Sequence, residues 1–316
     1  MKSKLHKQSL KLTLVGLVAM VLLAASPAHA LNHVTVCGQN LNLAGQYVLD
    51  NDLDCSGTLA SGVDITASNV VLDLAGHTIA STDCDLTKDM GGIFVHGGLS
   101  GVKIDGGRVQ GFNDGIVINL STSQVSGMTV TSACVFGIAI SGPNNRVDTS
   151  VVSLSGADGI GIGSASGTHI VFNDISDNAR VGVDISNFSN GNFVENNIIN
   201  RNGIGAGEQG GVAIFNGTNN LVANNAVNNN FNGIEVESPG NTVRNNTVNG
   251  SVSTGIFITT NGAPSTVKLN TVLGNAFVDM SDESSACNGD VWRKNTFQTD
   301  LAGAASDGGP EKGCIK

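Results

Sequence analysis

The sequence has 316 residues, which is enough for one large domain or two of ordinary size. Glycine supplies 42 residues, aromatic residues make up 4% and charged residues 13%, which argues against helical bundles and coiled coils because both need many charged helix formers. Hydrophobic residues at 40% argue against disorder. The chain has 16 basic and 26 acidic residues, so it lacks the excess of positive charge that attracts the phosphates of nucleic acids. No nucleic-acid partner is therefore expected.

Residues 1–30 are predicted to be a secretory signal peptide. Four lysines precede an apolar run over 12–25, and Ala28-His29-Ala30 supplies a small-x-small cleavage signature. The run is shorter than the ~18 residues that a membrane span needs. We therefore expect cleavage before Leu31, export to the periplasm or the medium, and no membrane span afterwards. Loss of four lysines and no acidic residue takes the net charge from −10 to −14.

The cysteines predict disulfide bonds. All six follow the leader, their number is even, and export places them in an oxidising compartment. None forms a C-x-x-C pair or has a histidine at metal-ligand spacing, so no metal site is expected from them. Fifteen pairings are open. Proximity favours one bond near each end of the chain and leaves a third pair by elimination. The pairs are Cys37 with Cys55, Cys287 with Cys314, and Cys84 with Cys134.

A Gly-apolar-x-apolar tetrad recurs along most of the chain. Seven of the nine intervals between successive starts are 22 or 23 residues, which indicates a repeat architecture. Each tetrad alternates as a strand does, and a second short strand and Asn, Gly and Ser turns follow it in each unit. The tetrads begin at Gly62, Gly92, Gly115, Gly137, Gly159, Gly182, Gly211, Gly233, Gly255 and, in degenerate form, Phe277.

These units predict an all-β fold, a single-stranded parallel β-helix of about ten coils with disulfide-stapled ends. One unit cannot bury its own apolar face, whereas stacked units share a continuous core. We expect coils over 62–286, between an N-terminal cap at 31–61 and a C-terminal cap at 287–316 in which Trp292 covers the last coil.

Asparagine occupies the same place in six consecutive units. An inward side-chain amide at that turn would bond its neighbours above and below, which predicts a stacked ladder. The alternative is that asparagine is merely common in turns. The six residues are Asn173, Asn197, Asn225, Asn246, Asn270 and Asn295.

The segment Asn69–Ile79, the Gly-Ile-x-Ile tetrads and the Asn-x-Val-x-x-Asn units resemble bacterial secreted right-handed parallel β-helix repeat proteins. That superfamily includes pectate lyases, polygalacturonases, alginate epimerases and NosD-type periplasmic copper-associated proteins, and the resemblance implies a right-handed coil. The matching motifs belong to the scaffold. The lyase Arg-x-Pro-x-x-Arg, the polygalacturonase Asn-Thr-Asp and Gly-His-Gly, and the epimerase Asp-Pro-His sequences do not occur here, so the resemblance implies no particular reaction.

Two rows of side chains should point outward, formed by the third residue of each tetrad and the residue two positions later. In the middle coils these rows hold small residues and look featureless, and in the last coil they hold Asp279 and Ser281. The C-terminal half instead concentrates acidic and aromatic residues, and the 29-residue interval there adds a loop bearing Glu208.

Two carboxyls that flank a glycosidic bond can hydrolyse it, one by protonating the leaving oxygen and the other by activating water. Asp184 and Glu235 lie two coils apart, roughly 9–10 Å at the backbone, which fits an inverting pair and predicts them as catalytic residues. The alternative is that these acids only keep exposed strands soluble. Predicted substrate-binding residues are Glu208, Phe215, Glu237 and Phe257.

The other outward groups carry weaker signals. Asp83, Asp85 and Asp89 share the first long interval, where their oxygens could hold calcium, although solvated acids are the simpler interpretation; no other cofactor is expected. His96 has no evident acidic partner.

The leading functional hypothesis is an exported protein that binds an envelope or extracellular polysaccharide and, if it is an enzyme, processes it as a hydrolase or lyase. One alternative is a non-catalytic structural or interaction module with a protein partner. The other is a NosD-like metal-associated protein of the periplasm.

Overall fold

The computed structural model describes residues 31–58, 60–84, 91–204, 210–302 and 315. In these segments the chain winds through about eleven turns of a parallel solenoid with three sheets, and its helical content is one 3₁₀ helix, Ser285–Gly289. The predicted parallel β-helix is confirmed, with about one turn more than expected.

Successive turns add strands to three sheets, named here sheets 1, 2 and 3, whose neighbouring strands are parallel. Sheet 1 consists of β1 (Asn32–Val34), β3 (Gly45–Leu49), β6 (Val70–Asp73), β9 (Ser100–Asp105), β12 (Thr122–Ser126), β15 (Arg146–Asp148), β18 (His169–Val171), β21 (Phe193–Glu195), β24 (Leu221–Ala223), β27 (Thr242–Arg244), β30 (Thr266–Lys268) and β33 (Val291–Arg293). Sheet 2 consists of β4 (Leu53–Asp54), β7 (Thr78–Ala80), β10 (Arg108–Gln110), β13 (Thr129–Thr131), β16 (Val151–Ser153), β19 (Asp174–Ser176), β22 (Ile198–Asn200), β25 (Ala226–Asn228), β28 (Thr247–Asn249) and β31 (Thr271–Leu273). Sheet 3 consists of β2 (Gln39–Leu41), β5 (Val63–Ile65), β8 (Gly91–Val95), β11 (Asp114–Ile118), β14 (Ile138–Pro143), β17 (Ile160–Ser166), β20 (Val183–Ser186), β23 (Gly210–Ile214), β26 (Asn232–Val236), β29 (Thr254–Ile258), β32 (Val278–Asp282) and β34 (Asp300–Ala302).

The core is a column of aliphatic side chains inside the coil. In sheet 3, for example, Ile116 aligns with Ile138 and Ile138 with Ile160, and all three are fully buried. Equivalent residues of successive turns are about one strand spacing, ~4.8 Å, apart. Each turn therefore completes the apolar burial of its neighbours, which is why the repeat is stable only when stacked.

Glycine at the first tetrad position permits this stacking. A Cβ on Gly115 would lie 2.2 Å from the Val130 side chain and 2.5 Å from the Gly137 carbonyl oxygen. No side chain fits at such separations, so the glycine that marks the repeat in the sequence is required by the packing of one turn on the next.

The predicted asparagine ladder is confirmed. From Asn173 to Asn295, each side-chain amide donates to the Oδ1 of the next asparagine at 3.0–3.1 Å. These bonds satisfy polar groups that the turns bury, and that would otherwise cost free energy. Two further ladders, which the sequence pattern did not reveal, run through other turns of the coil. They are Asn178–Asn202–Asn230 and Asn192–Asn220–Asn241.

Disulfides close the N-terminal part of the solenoid. The predicted bonds Cys37–Cys55 and Cys84–Cys134 are present, with Cα separations of 5.5 and 5.8 Å. Cys287 is also disulfide-bonded. Its predicted partner, Cys314, lies outside the described residues.

Strands of the sheets extend into both ends of the solenoid. Residues 31–61, expected to cap the N-terminal end, carry strands of all three sheets, which pair with strands of later turns. At the other end, Trp292 aligns with Val267 in sheet 1, is 4% exposed and donates its indole N–H to Asp282 at 2.8 Å. Its ring packs in the core behind β33, the last strand of that sheet.

The position predicted for the last tetrad, 277–280, is wrong by two residues. Phe257 aligns with Ser281, so Asp279 does not extend the first outward row. Asp279 is 2% exposed and accepts hydrogen bonds from the Asn275 amide and from the backbone N–H of Gln298. This unit lacks the glycine that begins the other tetrads. The sequence pattern alone therefore did not show that its alignment with the preceding turn is displaced by two residues.

Candidate functional site

The outward face of sheet 3 presents both predicted catalytic carboxyls in one row. Asp184 on β20 aligns with Ala213 on β23, Ala213 with Glu235 on β26, and Glu235 with Phe257 on β29. Asp184 and Glu235 are therefore two strand spacings apart, roughly 9–10 Å at the backbone. Ala213 between them is fully buried, Glu235 is buried and Asp184 is half-buried.

A cleft of about 350 Å³ opens on the same face across β8, β11, β14, β17 and β20. Small residues, among them Ala139, Gly161 and Gly163, form its lining together with Phe94 and Phe136. A Cβ on Gly161 would lie 3.2 Å from the Phe136 ring, so the ring covers that glycine directly. The expectation that the middle coils are featureless is wrong, because their small side chains are what leave room for the cleft.

Acidic residues fix the backbone beside the cleft. The backbone N–H of Phe136 donates to Asp114 Oδ1 at 3.0 Å, which holds Phe136 at the cleft. One turn further on, the backbone N–H of Val181 donates to Asp158 Oδ1 at 3.0 Å, and burial raises the pKa of Asp158. These two carboxyls hold the backbone beside the cleft in place.

Asp184 lies at the C-terminal end of the cleft. Its Oδ2 accepts a hydrogen bond from the Ser186 hydroxyl at 2.8 Å, whereas its Oδ1 is buried and has no hydrogen-bond partner among the described residues. Burial raises the pKa of Asp184 to about 6, assisted by the charge of Asp158 and opposed by Ser186 and the charge of Arg180. At pH 7 the carboxylate is therefore mostly ionised, with one oxygen able to accept a proton.

Glu235 has the opposite protonation at neutral pH. Its side chain is 8% exposed. Burial, with the hydrogen bond and negative charge of Glu237, raises the pKa of Glu235 to about 8; Asn232 opposes the shift and the charge of Glu283 adds to it. Glu235 therefore keeps its proton at pH 7, whereas Asp184 does not.

Glu283 is a site residue that the sequence pattern missed. Its backbone N–H donates to the Ile258 carbonyl, as that of Glu237 donates to Ile214, so both acids belong to the second outward row. The degenerate tetrad put Ser281 in this place. The alignment of Ser281 with Phe257 is the signal that places Glu283 correctly.

The predicted site residues divide into two neighbouring groups. Among the residues that the structure describes, Asp184 lines the cleft. Glu235 and Phe257 continue the same outward row beyond the cleft. Phe215 and Glu237 belong to the second outward row. Glu208 lies outside the described residues. The predicted site therefore extends toward the N-terminal end, into coils where no chemistry was expected.

The expectation that His96 lacks an acidic partner is wrong. His96 Nε2 lies 3.3 Å from Asp64 Oδ1, and its ring is 4.8 Å from that of Phe94. The pair borders the N-terminal end of the cleft, because Phe94 lines the cleft and aligns with Asp64 one turn earlier.

The calcium hypothesis rests mostly on residues outside the described part of the chain, namely Asp85 and Asp89. Asp83 accepts a hydrogen bond from the backbone N–H of Gly57. Among the described residues, no group of three His, Cys, Asp or Glu side chains is arranged to hold a metal ion. The described part also contains no helix long and apolar enough to cross a membrane.

The family model for the right-handed β-helix region matches residues 91–208 and 194–297. These segments make up more than half of the chain and coincide with the stacked turns described above. The chain belongs to the right-handed β-helix family. Its right-handed coiling, implied by the sequence resemblance, is thereby confirmed. A comparison with curated proteins gave no match.

Solved structures with a similar fold include three proteins of low sequence identity. The periplasmic alginate epimerase AlgG is 16% identical with a TM-score of 0.59, over 82% of this chain and 74% of that chain. The Agl-KA catalytic domain is 11% identical with a TM-score of 0.66, over 87% and 60% of the two chains. The Dettilon tailspike protein is 18% identical with a TM-score of 0.57 over 86% of this chain, which spans 61% of the tailspike chain. At these identities the similarity shows the fold.

Proposed function

We propose that this protein binds an extended polysaccharide along the outward face of sheet 3 and hydrolyses it between Asp184 and Glu235. The observation that carries the proposal is a single row with two carboxyls, two strands apart, whose pKa values of about 6 and about 8 leave one ionised and one protonated at pH 7. Environments that separate two acids in this way supply the base and the acid of glycosidase chemistry.

In this reaction Glu235 is the general acid and Asp184 the general base. Glu235 gives its proton to the glycosidic oxygen as the bond from that oxygen to the anomeric carbon breaks. Asp184 accepts a proton from a water molecule that attacks the anomeric carbon from the opposite face. The backbone spacing of roughly 9–10 Å is close to the ~6.5–9.5 Å between carboxyls in inverting enzymes, which leaves room for that water.

The cleft would hold the part of the chain on the Asp184 side of the scissile bond. It crosses five strands, about 19 Å at ~4.8 Å per spacing, which is long enough for several sugar rings. Phe94 and Phe136 offer flat apolar surfaces to the C–H faces of those rings, and Phe257 does so beyond Glu235. Glu237 does not need to touch substrate, because its charge keeps the proton on Glu235.

Other observations support this proposal. The alginate epimerase with the same fold acts, by its name, on a polysaccharide, which supports a polysaccharide partner for this face. The two disulfides and the predicted leader support export to the periplasm or the medium. A non-catalytic interaction module would account for the solenoid, but it gives no reason to shield two carboxyls in one row.

The proposal is tested with the purified mature chain and a panel of neutral and acidic polysaccharides. Retention in affinity electrophoresis measures binding, and release of reducing ends measures turnover. We expect Asp184→Asn and Glu235→Gln each to lose at least 100-fold in turnover while retention is kept, since acid or base catalysis contributes ~10²–10⁴-fold. Asp174→Asn, at an exposed position on sheet 2, is the matched control and should keep both. No retention on any polysaccharide, or full turnover by both variants, would refute the proposal.

A further inference from the structure

Sheet 1 ends in a run of basic side chains on its outward face. Arg244, Lys268 and Arg293 are aligned on the successive strands β27, β30 and β33, and Lys294 follows directly. These four residues, called here the cationic ladder, are four of the nine Lys and Arg residues in the described part of the chain. The whole chain carries a net charge of −10, so this clustering runs against its composition.

Most of the cationic ladder is unpaired. Arg244 lies 3.9 Å from Glu195, but Lys268, Arg293 and Lys294 have no ion pair within the part of the chain that the structure describes. Like charges placed opposite each other on neighbouring strands destabilise a sheet. Among the described residues, the aligned charges of Arg244, Lys268 and Arg293 therefore repel one another, and a bound anion would relieve that repulsion.

A turn residue with positive φ follows each of these strands. One residue in each of these turns has a positive φ, and in three earlier turns it is asparagine, which tolerates that conformation. In the last two turns the position holds Leu269, with φ of 59°, and Lys294, with φ of 55°. Phe172 and Thr149 take the same conformation at this position in earlier turns, so it recurs along the coil. In the last two turns it directs an apolar and a cationic side chain outward.

The shape of the surface indicates the ligand. Lys268, Leu269, Arg293 and Lys294 line a depression of about 270 Å³, and Leu269 is 50% exposed within it. The ladder repeats its charge at each strand spacing, ~4.8 Å, which suits a polymer with one negative charge per short repeat. The apolar side chain of Leu269 can pack against the C–H face of a sugar ring. A phosphate group has no apolar surface that could pack there.

We propose that the cationic ladder binds a carboxylated polysaccharide. The surface belongs to sheet 1, whereas the cleft and the two proposed catalytic carboxyls belong to sheet 3, and the two surfaces share no lining residue. The ladder would anchor the protein to an acidic matrix, and this role does not depend on hydrolysis.

The test compares the triple variant Lys268→Gln, Arg293→Gln and Lys294→Gln with a control of equal charge change. That control is Arg108→Gln, Arg146→Gln and Arg201→Gln, on other turns. Binding to polygalacturonate is measured by calorimetry at two salt concentrations in chains that also carry Glu235→Gln, so that no turnover takes place. We expect the ladder variant to bind at least tenfold more weakly, with a shallower salt dependence, and the control to change less than twofold.

A charge-conserving variant and other ligands complete the test. Lys268→Arg with Lys294→Arg keeps the charge and should retain binding, which separates charge from a folding defect. Dextran should bind no differently to the ladder variant than to the parent chain. Equal loss in the control triple variant, absence of polygalacturonate binding by the parent chain, or tighter binding to phosphatidylglycerol vesicles or single-stranded DNA than to polygalacturonate would each overturn the proposal.

Discussion

Replacing Glu235 by glutamine tests the raised pKa of this residue without any substrate. In the folded protein burial and Glu237 raise the pKa of Glu235 from 4.5 to about 8. Between these two pH values the folded protein holds a proton that the unfolded chain has lost, so the stability that this proton contributes is fully present below pH 4.5 and decreases as the pH rises toward 8. Glutamine is neutral at every pH and of similar shape, so the variant escapes this loss.

The magnitude follows from the linkage relation. Each pH unit in that window costs the wild type up to ~1.4 kcal/mol, and integration between pH 5 and pH 7 gives about 2.5 kcal/mol. We therefore expect the stability of Glu235→Gln, measured relative to the wild type, to increase by about 2.5 kcal/mol between these pH values. Acids that do not interact with Glu235 titrate in the same way in both proteins and cancel in the difference.

Urea unfolding at pH 5 and pH 7, followed by circular dichroism and by the fluorescence of the buried Trp292, provides the measurement. The two probes together check that the transition is two-state, which repeat proteins do not guarantee. Asp174→Asn, at an exposed position on sheet 2, controls for the loss of one negative charge. A stability difference between Glu235→Gln and the wild type that is the same at both pH values would show that Glu235 is ionised in the folded protein, and the proposed general acid would be lost.

Three further predictions concern activity, the scaffold and the cleft. With base and acid pKa values of about 6 and about 8, kcat/KM should peak near pH 7 and fall on both sides; a profile with no acidic limb would contradict the role of Asp184. Asn225→Ala removes four buried hydrogen bonds, made with Asn197, Val194 and Asn246, and should lower the free energy of unfolding by roughly 3–5 kcal/mol in urea. The control Asn261→Ala, at an exposed position, should lower it by less than ~0.5 kcal/mol. Equal losses in the two variants would refute the stabilising role of the asparagine ladder. Gly161→Leu should fill the cleft and weaken polysaccharide retention at least tenfold with an unchanged far-ultraviolet spectrum, and unchanged retention would place the ligand elsewhere.

The scaffold was readable from the sequence because close packing imposes strict demands at single positions. Gly115 and its equivalents cannot be replaced where a Cβ would meet the next turn, so the repeat stays visible. The same dependence explains the error at the C-terminal end. Phe277 stands where a glycine would mark the repeat, and without that marker the register moved by two residues and hid Glu283.

The site was readable only in part. The alternation of a strand places Asp184 and Glu235 on one face, and the repeat length gives their separation. The cleft depends on the absence of side chains at Gly161 and Ala139 and on the direction of the Phe136 ring, and a sequence pattern does not report either. The order of the two pKa values depends on burial, which comes from the neighbouring turns.

The central claim is that Asp184 and Glu235 hydrolyse a glycosidic bond with inversion. The most direct measurement is proton NMR of the first product formed from a polysaccharide that the wild type cleaves, recorded before mutarotation. The account predicts a reducing end with the anomeric configuration opposite to that of the cleaved bond, formed by the wild type and absent with Asp184→Asn or Glu235→Gln. A product that retains the configuration, an unsaturated sugar end, or the same product formed at the wild-type rate by both variants would contradict it.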